Sequence, residues 1–318
     1  MKPNNNRNNN KEEKTNPSQN AAQPTSSPQA QAQAAVQWFP GHMAKTRRQI
    51  KENLPLVDAV VELRDARVPE SSHNPELNAL LGQKPQVILL NKCDLADEAA
   101  TAHWLSQLRG EGVCALAVDC RSGKGLNRFA PTVQDLLQEL LQRRAEKGMK
   151  GKPIRLMVVG IPNTGKSSLI NRLAGNIRAQ TADKPGVTRQ NRWYPIRSGV
   201  PMELLDTPGV LWPKFEDPAV GDRLAFLGAV KDEIMDVEAL ATRLLALLAA
   251  GYAPRLVERF KLEETPEALA ALPPWQLLDA IARKRGMLLP GDEADTFRAA
   301  VILLDELRGG KLGRITLD

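Results

Sequence analysis

"VVGIPNTGKSSLI", residues 158–170, is an apolar run that stops at a glycine, turns through a short loop and resumes as a predicted helix at Lys166. Gly160 to Ser167 fits GxxxxGKS, and its place between a predicted strand and a predicted helix is the setting in which such a loop wraps phosphates. Glycines let successive backbone N–H groups turn toward the anion, and the helix contributes the positive end of its dipole. In this reading Lys166 bridges the β and γ phosphates and the Ser167 hydroxyl ligates Mg²⁺. Asn163, Thr164, Gly165 and Ser168 complete the nucleotide-binding set of the loop.

The strand ahead of this loop, "IRLMVV" (154–159), is one of several of its kind. "LVDAVVEL" (56–63), "QVILL" (86–90) and "VCALAV" (113–118) are short β-branched runs separated by helical stretches at 97–109 and 126–147. Residues 191–197 and 201–206 add two more strands around the turn "RSGV". Strands alternating with helices predict an α/β, doubly wound, mostly parallel sheet. From about residue 217 the period changes. "AVGDRLAFLGAV", "DVEALATRLLALLAA", "ALPPWQLLDAIARKRG" and "DEADTFRAAVILLDELRGG" are helical throughout, which predicts a small all-α domain over 217–318.

The first 35 residues are rich in Asn, Gln, Pro, Ser and Ala and hold no Leu, Ile, Val or Phe. Such a segment cannot offset its ordering entropy and is expected to be a disordered tail, 1–35, ahead of a sheet domain at 36–216. It lacks the apolar stretch of a secretory signal, and the longest apolar run elsewhere, "LLALLAAGYA", falls short of a bilayer span. A cytoplasmic monomer with no membrane or DNA partner is the expectation. Cys93, Cys114 and Cys120 form an odd trio without metal-ligand spacing, which argues against a disulfide framework or a zinc site. The charge of +6 is concentrated: residues 121–155 hold nine Lys/Arg against three Asp/Glu, and 172–197 hold six against one. Solvated helix faces would explain either run alone; two runs flanking a phosphate loop favour RNA.

Two further motifs give the loop a nucleotide to hold. "ELLDTPG" ends a strand at Asp206, whose carboxylate can hold Mg²⁺ through water, and the N–H of Gly209 can meet the γ phosphate. Between it and the phosphate loop, "DKPGVTR" offers Thr188 as the hydroxyl closing over Mg²⁺, with Thr181 as competitor and a surface Thr without function as the alternative. "NKCD" (91–94) then chooses the base. The Asp94 carboxylate can accept from N1–H and the 2-amino group of guanine, whereas adenine would leave it unpaired. Asn91 can tie the base edge to the phosphate loop, and the stem of Lys92 can cover the ring face. Downstream, in "VDCRSGKG", backbone N–H groups near Asp119 and Cys120 are candidates for the guanine carbonyl.

Ras-like GTPases run phosphate loop, Thr, DxxG, NKxD, base loop. This chain runs NKxD, base loop, phosphate loop, Thr, DxxG. Since all five loops lie at carboxyl ends of strands, cutting between DxxG and NKxD and rejoining through 126–153 leaves the site intact. On "QWFPGHMAK" (37–45), "DARVPESSHNP" (65–75), "NKCD", "GIPNTGKSSLINRL", "PGVT" and "LLDTPGVLWPKFEDP", the chain resembles the circularly permuted GTPases, and closely the bacterial ribosome biogenesis GTPase A family, from about residue 36 onward.

That resemblance implies a GTP-hydrolysing assembly factor for the large ribosomal subunit whose C-terminal helices dock on ribosomal RNA. Val210 stands where Ras-like enzymes carry the Gln that orients water, and the resemblance points to His42 instead, against a purely structural role at its helix start. It also implies that the Asn163 carbonyl oxygen helps hold K⁺, an innocuous turn Asn being the alternative. A small-subunit permuted GTPase would bring an OB-fold module and a Cys/His zinc site. A noncatalytic GTP-dependent RNA-binding placeholder is the rival from another class.

Overall fold

The β-branched runs pair into one six-stranded sheet in the order β3-β2-β1-β4-β6-β5. Its strands are β1 (Ala59–Asp65), β2 (Gln86–Asn91), β3 (Cys114–Ala117), β4 (Ile154–Gly160), β5 (Arg192–Ile196) and β6 (Met202–Asp206). All neighbours are parallel except β5, which runs antiparallel to β6 at the edge. The computed structural model describes residues 40–149, 151–175, 192–196, 198–209, 211, 215, 217–230, 232 and 235–318, with side chains from residue 45 onward. The expected tail, Thr181, Thr188 and Val210 lie outside the described residues, and of His42 only the backbone is described.

Strand alternation sorts apolar residues onto two covered faces, as a parallel sheet requires. Val61, Leu63, Leu89 and Val158 pack under α4 (Phe129–Leu136) and α6 (Lys166–Ala174). On the other face, Val60, Met157, Val159 and Leu205 meet Ile50 of α1 (Pro40–Asn53) and Leu77 of α2 (Pro75–Leu81). Ile88 and Leu90 meet Leu108 of α3 (Glu98–Gly110).

The helix predicted over 126–147 is interrupted. It consists of a 3₁₀ turn at Leu126–Arg128, then α4, then α5 (Gln138–Glu146), with the break at Leu137. Leu137 stays buried against the sheet while the chain changes direction. This segment carries the chain from edge strand β3 back to central strand β4, the rejoining that the permutation calls for.

Beyond β6 come α7 (Pro218–Phe226), α8 (Val237–Phe260), α9 (Pro266–Ala271), α10 (Pro274–Lys284) and α11 (Thr296–Arg308). Asp residues set the starts of α7, α8 and α11: Asp217, Asp236 and Asp295 each accept from a backbone N–H of the first turn. Leu240, Leu244, Leu248 and Phe260 of α8 pack with Leu278 and Ile281 of α10 and Leu303 and Leu307 of α11.

By length and composition α8 is apolar enough to cross a membrane. Thr242 and Arg243 interrupt its apolar run, which is why a count of consecutive residues falls short, and Leu240, Leu244, Leu245, Leu248 and Leu256 are buried within the helical core while Leu247 is exposed. A kink at Tyr252, two residues before Pro254, bends it. The same core takes in Val68 and Ile161, so the residue after Gly160 of the phosphate loop is packed among the helices.

Candidate functional site

Gly165 takes φ +97 before α6, and the helix's first turn presents its amides without a side-chain cap. A Cβ at Gly165 would fall 2.4 Å from Asn91 Nδ2, so glycine is what permits the approach of the NKCD loop. Asn91 uses that approach. Its Nδ2 donates to Thr164 O at 2.6 Å, and its Oδ1 accepts from Cys120 N at 2.9 Å. One side-chain amide therefore ties the phosphate loop, the NKCD loop after β2 and the loop after β3 into one cleft at the carboxyl edge of the sheet.

Lys92 sits at φ 61 and reaches the same loop, its Nζ donating to Asn163 O at 2.7 Å and lying 3.0 Å from Asp65 Oδ2. Asp94, half-buried at the mouth, has Arg314 Nε on its backbone carbonyl at 3.3 Å. Residues 314–316 brace this loop: Ile315 N donates to Leu95 O and Asp97 N to Thr316 Oγ1.

The last base loop is tied by hydrogen bonds of its own backbone and of Asn91. The N–H of Asp119 is taken by Lys124 O and that of Cys120 by Asn91 Oδ1. The Asp119 carboxylate accepts from the N–H groups of Arg121 and Ser122. Burial opposes ionisation of Asp119, but these hydrogen bonds prevail and hold its carboxyl below the ordinary range. The two residues shape the loop and engage their own amides in doing so.

At the phosphate end, Lys166 Nζ is folded onto the carbonyls of Gly160 (3.0 Å) and Ile161 (2.7 Å). Burial pushes its pKa down to about 8, against the pull of Asp206. Asp206 is itself buried at the end of β6, in register with Val158 of β4, and Thr207 Oγ1 donates to Val158 O. Gly209 follows so near the phosphate loop that a Cβ would fall 2.9 Å from the backbone of Pro162.

A buried carboxylate and the half-buried Ser167 hydroxyl in the first turn of α6 make an oxygen-only set. That chemistry suits Mg²⁺ completed by phosphate oxygens and water. Asn163, at φ 62, donates from Nδ2 to Gly228 O at 2.5 Å.

Sequence reading missed Asp65, Arg67 and Gly228. A charged Asp-Ala-Arg at the carboxyl end of a buried strand was the available signal for the first two. Arg67 donates from Nε to Asp65 Oδ1 at 2.9 Å and from Nη2 to Oδ2 at 2.8 Å, both residues being about 2% exposed. Burial opposes ionisation of Asp65, yet Arg67 and Lys92 beside it hold the carboxyl far below the usual range.

The order of these loops along the chain and their convergence in one cleft define a circularly permuted P-loop GTPase. The family described as "50S ribosome-binding GTPase" matches residues 155–256, beginning at the strand before the phosphate loop and leaving residues 91–94 ahead of the match. A ribosome biogenesis GTPase A from Priestia megaterium is 47% identical, covering 89% of this chain and 96% of its own. A mitochondrial ribosome-associated GTPase 1 from Xenopus tropicalis is 34% identical, covering 88% and 94%. GNP-bound YlqF from T. maritima superposes with a TM-score of 0.57 at 28% identity, covering 86% and 97%. The chain belongs to the ribosome biogenesis GTPase A family.

Proposed function

We propose that the protein is a GTP-hydrolysing assembly factor for the large ribosomal subunit that binds ribosomal RNA according to its nucleotide state. The observation that carries the nucleotide half of this reading is the Asn91 amide, which joins Thr164 and Cys120 across one cleft. In it, Asp94 takes the guanine edge and Lys92 covers the ring. The amides of Thr164, Gly165 and Ser168 and the Lys166 ammonium hold the phosphates. Ser167 and Asp206, with Thr188, hold Mg²⁺, which supplies the charge that neutralises the phosphate oxygens. Gly209 N–H meets the γ phosphate, and the Asn163 carbonyl oxygen takes K⁺.

His42 orients the attacking water in place of the Gln that Val210 replaces, and turnover is slow until the subunit stimulates it. Residues 36–216 act as the GTPase domain and 217–318 as the docking domain. Support for RNA comes from the exposed Arg121, Lys124, Arg128, Lys147 and Lys152; Arg144 and Arg155 of the same stretch are instead ion-paired to Asp58 and Glu203. Family membership supports the subunit assignment.

The test is sedimentation of the protein through sucrose with each purified subunit and a nonhydrolysable GTP analogue, GDP or no nucleotide. Comigration with the large subunit in the analogue alone is expected. Comigration with the small subunit, or none in any state, would overturn the assignment.

A further inference from the structure

Arg67 is among the largest fully buried side chains described, and none of the nucleotide motifs uses it. Its guanidinium fork is filled in two directions. Nε and Nη2 hold Asp65, while Nη1 donates to the carbonyls of Leu307 (3.2 Å) and Arg308 (3.3 Å), the last residues of α11. A cation on the carbonyls ending a helix meets the negative end of its dipole. Arg308 continues the chain of contacts, donating from Nε to Phe226 O and from Nη2 to Ala225 O, both at 3.0 Å, at the end of α7. Two residues on, Gly228 O accepts from Asn163 of the phosphate loop, whose own carbonyl accepts from Lys92, which returns to Asp65.

These contacts close a ring: Asp65, Arg67, the end of α11, the turn after α7, Asn163, Lys92, Asp65. Each link is directional, and two cations share one buried carboxylate. Asp65 and Arg67 cannot separate without leaving a buried charge unpaired, while Lys92, Asn163 and Arg308 are half-buried. A second strut runs beside it, since Leu317 N donates to Arg67 O at 2.8 Å. Two members, Lys92 and Asn163, belong to the loops that a guanine nucleotide occupies. The others fix where the helical region ends.

We propose that Arg67 is a positioning residue that locks the base and phosphate loops to the end of α11, so that nucleotide binding and the order of residues 307–317 are thermodynamically linked. A nucleotide that immobilises Lys92 and Asn163 fixes one arc of the ring and lowers the entropy left to the other. By reciprocity, an ordered α11 end raises nucleotide affinity by the same factor. This gives the helical region a route to the nucleotide. The inference rests on the guanine-nucleotide reading of the cleft.

The test uses the full chain and hydrogen exchange followed by mass spectrometry, with and without saturating GDP. In the unaltered protein, GDP is expected to slow exchange over 307–310, ahead of the direct Ile315 and Thr316 contacts to the base loop, by about fivefold or more, the lower range of a typical coupling, and to leave α10 unchanged. Arg67→Lys keeps a cation on Asp65 but lacks the fork that reaches both α11 carbonyls. It is expected to bind GDP about threefold to tenfold more weakly and to lose the GDP-dependent slowing. Should that variant fail to fold, Arg308→Lys breaks the next link while leaving Asp65 and Lys92 in place, and the same loss is expected. Slowing that persists in the variant, or is absent from the unaltered protein that has bound GDP, overturns the linkage. Failure of the unaltered protein to bind GDP overturns the cleft reading, and the linkage with it.

Discussion

Around the nucleotide cleft, Asp65, Arg67, Asn91, Thr164 and Asp206 are all buried, and the contacts that Asp65 makes with Arg67 and Asn91 with Thr164 are polar and directional. The helical region is built the other way. Its interior is Leu, Ala, Ile and Phe from α8, α10 and α11, and its buried acid, Glu306, is matched by Arg259 and Arg285 at the rim. Apolar packing is non-directional and yields gradually, whereas a hydrogen-bonded cleft fails when one atom changes role. The cleft should therefore lose function without losing the fold, and the helical core the reverse.

Asp94→Asn is the harshest test on the cleft side. On the proposed role of Asp94 it sets a donor against the guanine N–H groups, so GTP affinity should fall about a hundredfold to a thousandfold, with xanthosine triphosphate now preferred. Titration calorimetry with both nucleotides reads this, and unchanged GTP affinity would break the comparison. On the helical side, Leu278→Ala opens a cavity between α8 and α10 and should cost about 3 kcal/mol in urea unfolding. Its dissociation constant for GDP should stay within about twofold, since no buried polar link is touched.

Gly165→Ala sharpens the contrast. At φ +97, with Asn91 Nδ2 in its way, the added methyl should cost about 2 kcal/mol, seen chiefly as weaker GDP binding. An intact affinity would show that the Asn91 clamp is dispensable.

The smallest effect is on pH. Burial holds Lys166 at about 8 in the nucleotide-free protein, so above that pH the folded state has shed a proton that phosphate oxygens would retain. GDP binding should then take up protons at about pH 8.5 and none at about pH 6.5, with affinity declining by less than tenfold per pH unit as pH rises through 8. Calorimetry in two buffers of different ionisation heat measures the uptake.

The six strands are legible in the sequence to within about two or three residues, the five parallel ones because a buried parallel strand declares itself locally as a short apolar run. The break at Leu137 is not legible, since apolar spacing continues across it, and Pro266–Ala271 is too short to show a period. The cleft divides in the same way. Asn91, Asp94 and Lys166 sit in motifs whose chemistry is local in sequence. The partners that decide what Cys120 and Asn163 do lie elsewhere along the chain, Asn163 meeting Gly228 and Cys120 meeting Asn91, and Arg67 reaches Leu307 across 240 positions. Tertiary approach, which no period encodes, supplies those roles.

The kink at Tyr252 places a phenol beside Thr316, where its O–H donates to the backbone O while its oxygen accepts from the backbone N–H. A single hydroxyl thus answers both main-chain groups that an adjacent strand would otherwise satisfy. Residues 314–318 form no strand of their own, and at Thr316 both main-chain groups are taken, which closes that point to edge pairing with a foreign chain.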